Sequence, residues 1–202
     1  TLRKESVFNL EHLGAVSYSR SPCDSKEELE MRKTWIKVSL AAVLFLLALG
    51  PLATGQSGEQ SFKATLSGLQ EVPANSTTGT GEFRARLDAA ETTLTYELEY
   101  SGLEGTSTVA AHVHLGQRGV NGGVSFFLCG GGGKPACSAT QDTVIGTVMA
   151  VDVIGPSGQG IAAGEFAEII AAMRSGATYA NVHTNKHPGG EIRGQIKDPR
   201  SE

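Results

Sequence analysis

Histidine is the residue type in this 202-residue sequence whose spacing most directly suggests chemistry. His112 and His114 are separated by one residue, so on a β-strand both imidazoles leave the same face. His183 lies in a second segment in which polar and aliphatic residues alternate. Neutral imidazole is a ligand for copper and zinc, and a rigid sheet fixes the directions of its nitrogens. The three histidines therefore form a candidate copper or zinc site if their strands are neighbours, and His187 could supply a fourth nitrogen.

A β-hairpin is predicted over residues 179–196, because two alternating segments flank a short link. The link, residues 185–190, contains Pro188 followed by two glycines, which favours a tight reversal. The first strand has an aliphatic side of Ala180, Val182 and Thr184 and a polar side of Tyr179, Asn181 and His183. The strand before it, around His112, has its aliphatic row at Val109, Ala111, Val113 and Leu115. Both segments thus place histidine opposite an aliphatic row.

Two interpretations of the histidines follow from these patterns. In the first, His112, His114 and His183 bind copper or zinc, Glu191 or Asn181 orients a ring N–H from behind, and Arg193 lies behind the ligands with them. In the second, the imidazoles form a buried hydrogen-bond network with Asn181, Glu191 and backbone carbonyls. Copper,zinc superoxide dismutases also place a His-x-His pair on a β-strand, an analogy of residue placement alone. The present sequence has no dense His/Asp loop for a second metal.

Two quoted segments carry a family resemblance. The stretch AHVHLGQRGVNGGV, followed later by YANVHTNKHPGGEIRGQI, resembles the CHRD domain, a module named for its repeats in chordin and found singly in secreted bacterial proteins. The resemblance runs from about Phe62 to Ile196, and the terminal hairpin is its specific part. It implies an extracellular, β-rich domain whose biochemical role is poorly defined.

The first 55 residues are predicted to be processing segments and not part of the folded domain. Residues 31–55 have the form of a signal peptide, with a basic start, an apolar run of about a dozen residues and small residues near Gly55. Residues 1–30 are interpreted as an upstream extension from a start assigned too early, the alternative being a cytoplasmic tail on an uncleaved anchor. Residues 56–61 are predicted to be a mobile leader, 62–197 the domain and 198–202 a frayed tail. The expected location is secreted, periplasmic or extracellular, without stable membrane insertion after cleavage.

The net charge of the predicted domain narrows the classes of partner that it could bind. Residues 56–202 contain 10 Lys and Arg against 15 Asp and Glu, a net charge of −5. An acidic chain with scattered basic residues lacks the electrostatic footprint of a nucleic-acid-binding protein. The expected partner is an unidentified extracellular protein or matrix component.

Cys129 and Cys137 are the two cysteines of the predicted domain. A cysteine pair in an exported chain is typical of a disulfide, here closing a glycine-rich loop. The alternative is that the two sulfurs are soft metal ligands, which an oxidising compartment disfavours.

Periodicity predicts the fold class. Alternation predicts strands at 62–67, 82–88, 94–100 and 109–115, before the terminal hairpin. A short apolar run predicts a strand at 124–128, and β-branched and aliphatic residues predict another at 143–153. Phe166, Ile169, Ile170 and Met173 recur at helical spacing and predict one short helix at about 164–175. These elements indicate an all-β protein, an antiparallel Greek-key-like β-sandwich or flattened barrel with one short helix.

Three functional classes fit the sequence. The first is a secreted structural or binding module. The second is a copper or zinc protein that sequesters metal or performs superoxide-dismutase-like redox chemistry. The third, a hydrolytic enzyme, lacks a recognisable nucleophile motif. No catalytic residue is identified, and the balance of the sequence is against an enzyme.

Overall fold

The computed structural model describes residues 59–201, which form eight strands and one α-helix. The helix, α1, spans Phe166–Arg174. Short 3₁₀ turns lie at Gly68–Gln70, Ala150–Asp152, Ser157–Gln159 and Pro199–Ser201. The strands are β1 Gln60–Ser67, β2 Thr80–Leu87, β3 Leu94–Ser101, β4 Thr108–Leu115, β5 Val124–Cys129, β6 Asp142–Val148, β7 Thr178–Thr184 and β8 Ile192–Gln195.

All eight strands belong to one antiparallel sheet, in the order β5-β4-β7-β8-β1-β2-β3-β6. The two edge strands, β5 and β6, contact each other, so the sheet is nearly closed into a barrel. The Tyr96 hydroxyl on β3 donates a 2.7 Å hydrogen bond to the Leu128 carbonyl on β5 and links the two ends across the interior. The all-β prediction is confirmed, and the flattened-barrel alternative is the one adopted.

The barrel interior holds a single apolar core. Inward positions alternate along β1, β2 and β3, as their period-2 pattern predicts. The helix adds its apolar stripe to the same core. The fully buried large apolar side chains include Phe62, Leu66, Phe83, Leu87, Leu94, Leu98, Phe126, Leu128, Ile169, Ile170 and Met173.

Two predicted strand boundaries were wrong. The strand predicted over 143–153 ends at Val148, because the Asp152 carboxylate accepts a hydrogen bond from the Met149 backbone N–H and closes a 3₁₀ turn. The leader predicted over 56–61 contributes Gln60 and Ser61 to β1, where both pair with β2.

The predicted tail, 198–202, is also partly ordered. Asp198 is buried, and its carboxylate accepts a 2.7 Å hydrogen bond from the Gln60 amide. A 3₁₀ turn follows over Pro199–Ser201. The chain is therefore tied to β1 just beyond the predicted domain end.

The predicted upstream extension (1–30) and signal peptide (31–55) lie outside the described residues. Within residues 59–201, no helix combines the length and apolar character needed to cross a bilayer.

Candidate metal centre

Strands β4 and β7 are neighbours, and this pairing brings the histidines together. In the antiparallel register His112 lies opposite Asn181, and Ala110 lies opposite His183. Opposed residues share a face of the sheet, so His112, His114 and His183 all project from the side away from the apolar core. The sequence prediction of a shared face is confirmed.

One member of the predicted aliphatic row on β4 was wrong. Val109 is 54% exposed, whereas Ala111 and Val113 are fully buried. A register shift between Thr108 and Ala110 accounts for the difference, because a bulge changes the direction of the side chain within it. The bulge lies just before the histidines and leaves their common orientation intact.

The three imidazoles form a compact cluster. The His112 ring centroid lies 4.5 Å from that of His114 and 4.4 Å from that of His183, and the His114 and His183 centroids are 6.4 Å apart. One ring nitrogen from each residue can be chosen so that all three lie within 4.8 Å of one another. His112 and His114 are buried and His183 is half-buried, so the cluster meets solvent on the His183 side.

Backbone carbonyls fix the tautomers of two of the rings. His114 Nδ1 lies 2.8 Å from the Gly122 carbonyl oxygen, and His183 Nδ1 lies 2.9 Å from that of Pro188. A carbonyl oxygen only accepts, so each Nδ1 carries the proton and each Nε2 presents a lone pair. Both Nε2 atoms, together with Nδ1 of His112, are buried without a hydrogen-bond partner among the described residues.

The environment keeps these rings neutral. Burial lowers the pKa of His112 to about 3, and the neighbouring His183 and His114 add to the effect. Burial also lowers the pKa of His114 to about 4, against the opposing hydrogen bond to Gly122. The pKa of His183 is lowered by burial as well, with the Pro188 carbonyl acting in the opposite direction. Lone pairs are therefore available at neutral pH without prior deprotonation.

Phe127 on β5 forms an apolar wall of the cluster. Its ring meets the His112 ring edge-on, with centroids 5.2 Å apart. On its other side it is covered by Gly131 and Gly132, where an added Cβ would come within 3.0 Å of ring atoms. This glycine loop is closed by the predicted disulfide between Cys129 and Cys137, which the structure confirms.

Tyr179 and Arg193 form a stack behind His114 that sequence reasoning missed. The Tyr179 ring lies parallel to the His114 ring, with centroids 4.6 Å apart and planes 5° from parallel. The Arg193 guanidinium carbon lies 3.4 Å above the Tyr179 ring centroid. The available signal was the alternation that put Tyr179 on the same strand face as His183.

Arg193 was predicted to lie behind the histidine ligands, and its guanidinium donates to the loop 116–123. Its guanidinium donates to the Asn121 side-chain oxygen at 3.1 Å and to the Gln117 and Val120 carbonyls at 3.2 and 2.8 Å. Arg193 is 2% exposed, because the loop 116–123 folds over it. It supports the cluster by stacking on Tyr179.

Asn181 was predicted to hydrogen-bond a histidine, and it instead bonds elsewhere. Its amide donates 2.6 Å to the Glu71 carboxylate and 2.9 Å to the Ile192 carbonyl. Burial raises the pKa of Glu71 to about 7, although the Asn181 hydrogen bond and the Arg193 charge oppose the rise. Sequence reasoning missed Glu71, whose place in a loop between strands gave no periodic signal.

Glu191 was likewise predicted to orient a ring N–H, whereas it ties loops to the hairpin. Its carboxylate accepts from the Thr77 and Thr184 hydroxyls at 2.7 and 2.6 Å and from the Glu104 backbone N–H at 2.6 Å. Burial raises its pKa, but these hydrogen bonds outweigh it and hold the pKa of Glu191 below its usual value. The two histidine N–H groups with an identified partner donate to backbone carbonyls, those of Gly122 and Pro188.

His187 is not a member of the three-nitrogen group. It lies in the hairpin turn, where its backbone N–H donates to the Thr184 hydroxyl at 3.1 Å and its carbonyl accepts from Gly190 at 3.0 Å. Its Nε2 is nonetheless buried without a partner among the described residues.

The cluster suits a first-row transition metal. Three neutral imidazole nitrogens match the donor preference of copper and zinc. Nitrogens bound to one such ion at about 2.1 Å lie roughly 3.4 Å apart, so spacings within 4.8 Å need only small side-chain adjustments. The carbonyl-held Nδ1–H groups of His114 and His183 are the arrangement usual behind metal-binding histidines.

Comparison with known proteins identifies the domain type. A family model for the CHRD domain matches residues 62–196. No curated protein and no solved structure matches the chain.

Proposed function

This chain belongs to the CHRD domain family, and we propose that it is an extracellular module that binds a single Cu(II) or Zn(II) ion through His112, His114 and His183. The disulfide between Cys129 and Cys137 supports an oxidising, extracytoplasmic compartment. The function is metal capture, with redox chemistry by bound copper as the second candidate.

The observation that carries the proposal is the set of unpartnered ring nitrogens. A buried polar atom without a hydrogen bond costs on the order of 1–3 kcal/mol. His112, His114 and His183 each contain such an atom, and one ring nitrogen from each of the three lies within 4.8 Å of the other two. A hydrogen-bond network would pair these lone pairs with a donor such as the Asn181 amide, but that amide donates to Glu71 and to the Ile192 carbonyl. A shared cation satisfies all three lone pairs at once.

The residues around the three histidines would each contribute differently to metal binding. The Gly122 and Pro188 carbonyls hold the His114 and His183 rings in the tautomer that presents Nε2. Phe127 restricts water on the His112 side. His183 stands at the solvent-facing side, which leaves room for a water or small anion to complete a coordination sphere.

The second candidate, superoxide dismutation, depends on copper and on that open position. Bound copper would supply one-electron chemistry by cycling between Cu(II) and Cu(I). The three-histidine set and the half-buried His183 favour this over a closed structural site. A superoxide assay of the copper-loaded protein tests it, and activity no greater than that of free Cu(II) would leave metal capture as the function.

Metal-dependent thermal stability tests the main proposal. We expect micromolar excess Cu(II) or Zn(II) to raise the melting temperature of the purified, chelator-treated protein by about 8 °C, the rise for ligand at roughly one hundred times its Kd. His112→Ala should abolish the rise.

His187→Ala is the matched control, because it removes a nearby histidine outside the three-nitrogen group. It should keep the rise found for the wild type. Equal melting temperatures with and without either metal in the wild type would refute the proposal.

A further inference from the structure

Arg193, on β8, is a buried cation that is bound by a loop and not by a carboxylate. The residue is 2% exposed, and none of the ion pairs in residues 59–201 includes it. Burying a guanidinium is unfavourable unless its N–H groups are satisfied. Its acceptors are three oxygens of the loop 116–123, from Gln117, Val120 and Asn121. One planar side chain therefore binds this loop at three points.

The loop 116–123 connects β4 to β5 and folds back on the end of β4. Gly119 has a positive φ of 77°, and a Cβ added to Gly122 would collide with the Leu115 carbonyl oxygen. Both positions therefore favour glycine, which leaves a free backbone many alternative conformations. The observed path of the loop thus depends on the side chains that bind it, and Arg193 supplies three of those bonds.

The same loop presents the Gly122 carbonyl to His114. This oxygen lies 2.8 Å from His114 Nδ1, and Gly122 directly follows Asn121, whose side chain is bound by Arg193. The Gly122 N–H donates to the Tyr179 hydroxyl at 3.2 Å. The Tyr179 ring in turn stacks on the His114 ring and contacts the Arg193 guanidinium. Arg193 is thus linked to His114 by two routes, one through the loop and one through Tyr179.

The tautomer of His114 decides which of its ring nitrogens can bind a metal. A neutral histidine side chain in water favours the tautomer with the proton on Nε2, whereas the Gly122 carbonyl requires the proton on Nδ1. Without that carbonyl the proton would return to Nε2, the ring nitrogen that has no partner within the described residues. The position of the loop therefore decides whether His114 Nε2 offers a lone pair.

We propose that Arg193 is a positioning residue that selects the tautomer of His114. It holds the loop 116–123 so that the Gly122 carbonyl faces His114 Nδ1, and it does so without a hydrogen bond to any histidine in the described part of the chain. The consequence for metal affinity rests on the proposed function. The tautomer is a property of the metal-free protein, so it can be measured whether or not a metal binds.

Nitrogen NMR of the chelator-treated, metal-free protein tests this inference, because long-range ¹H–¹⁵N spectra distinguish protonated from unprotonated ring nitrogens. We expect wild-type His114 to carry its proton on Nδ1. Arg193→Lys retains the charge but lacks the planar fork that binds several oxygens, so the Nε2–H form of His114 should become the major one. His183 is the internal control, because its Nδ1 bonds to the Pro188 carbonyl in a different loop and should stay protonated.

A pair of substitutions at Asn121 tests the same link and decides alone if Arg193→Lys does not fold. Asn121 is exposed, its side-chain oxygen accepts from Arg193, and its amide donates to the Val72 carbonyl at 3.1 Å. Asn121→Ala removes both bonds and should raise the Nε2–H fraction of His114. Asn121→Asp, the matched control, keeps an acceptor for Arg193 and loses only the donor to Val72, so it should keep the wild-type tautomer.

Zn(II) affinity, measured by isothermal titration, should fall about tenfold in Arg193→Lys, as is typical when a group behind a ligand is lost. The inference would be overturned by an unchanged His114 tautomer in the folded variants, or by equal shifts in the two Asn121 variants. A joint change of His114 and His183 would also overturn it, because that result indicates general loosening. A wild-type protein that binds no Zn(II) would refute the proposed function and leave the tautomer result standing.

Discussion

At the scale of single residues, the histidine cluster lowers the stability of the fold, because its buried ring nitrogens lack hydrogen-bond partners within residues 59–201 and keep their lone pairs available. His112 and His114 are buried and neutral, and each retains a ring nitrogen without a partner. The Asn181 amide, which lies opposite His112 in the sheet, could have donated to one of them. Instead this amide donates to Glu71 and to the Ile192 carbonyl, and the ring nitrogens stay without partners among the described residues.

Tyr179 is the residue whose role in the cluster can be isolated most cleanly. Replacing it with leucine removes the ring that stacks on His114, whereas phenylalanine keeps the ring and loses only the hydroxyl, which accepts from Gly122 N–H at 3.2 Å. We expect Tyr179→Leu to lower metal affinity about tenfold, because the His114 ring loses its support, as is typical when groups behind a ligand are lost. Isothermal titration of both variants with Zn(II) measures this, and equal affinities of the two would exclude a stacking role.

Glu71 makes a pH-dependent contribution to stability. Its folded pKa of about 7 lies above the reference 4.5, so the folded protein binds more protons than the unfolded chain between those values. The stabilising contribution of the protonated carboxyl is complete below pH 4.5 and is lost as the pH rises through 7. Glu71→Gln should therefore gain stability over the wild type between pH 5 and 8, on the order of 2 kcal/mol.

Urea denaturation of both proteins at the two pH values measures this difference. The comparison removes the contribution of the histidines, which titrate in both proteins. A constant difference from pH 5 to 8 would show that Glu71 titrates normally.

At the scale of elements, the register of β4 on β7 decides whether a site exists. Shifting the pairing by one residue would turn His112 and His114 toward the apolar core. The alternation of Ala111 and Val113 with the histidines opposes this shift, because it would expose aliphatic side chains and bury imidazoles. The same sequence pattern therefore specifies both the core and the site.

The disulfide loop is the second element that acts on the site. The bond between Cys129 and Cys137 closes the glycine loop over Phe127, which in turn contacts His112. Replacing both cysteines with alanine should lower the free energy of unfolding by about 2–3 kcal/mol, from loop-closure entropy. Urea denaturation measures the loss, and an unchanged midpoint would show that the loop is held by its packing alone.

At the scale of the whole molecule, near-closure of the sheet divides the residues between two layers. The inner layer is the apolar core. The outer layer, over β4, β7 and β8, is polar, and loops cover it. The loop 116–123 supplies carbonyls to Arg193, and Asn75, in the loop after β1, donates to the Gly190 carbonyl at 2.7 Å. These loops bury a polar face that a bare barrel would leave in water, and burial is what keeps the histidines neutral.

Local patterns were sufficient to predict most of the strands and the shared face of the histidines. Period-2 alternation located β1 to β4 and the hairpin, a short apolar run located β5, and helical spacing located α1. The prediction failed where a side-chain hydrogen bond outweighed strand propensity. The Asp152 carboxylate accepts from the Met149 backbone N–H and ends β6 early. It failed again at Val109, where a bulge that alternation cannot reveal reversed the side chain.

The sequence by itself determined the CHRD domain, the all-β class, the disulfide and the shared face of His112, His114 and His183, because these follow from residue type, spacing and period. Only the tertiary structure decided which strands are neighbours and which partners the polar side chains take. Hydrogen-bond partners such as the Gly122 and Pro188 carbonyls come from loops whose paths are set by packing over the whole barrel. No local pattern encodes those paths, and they leave the three ring nitrogens unpaired.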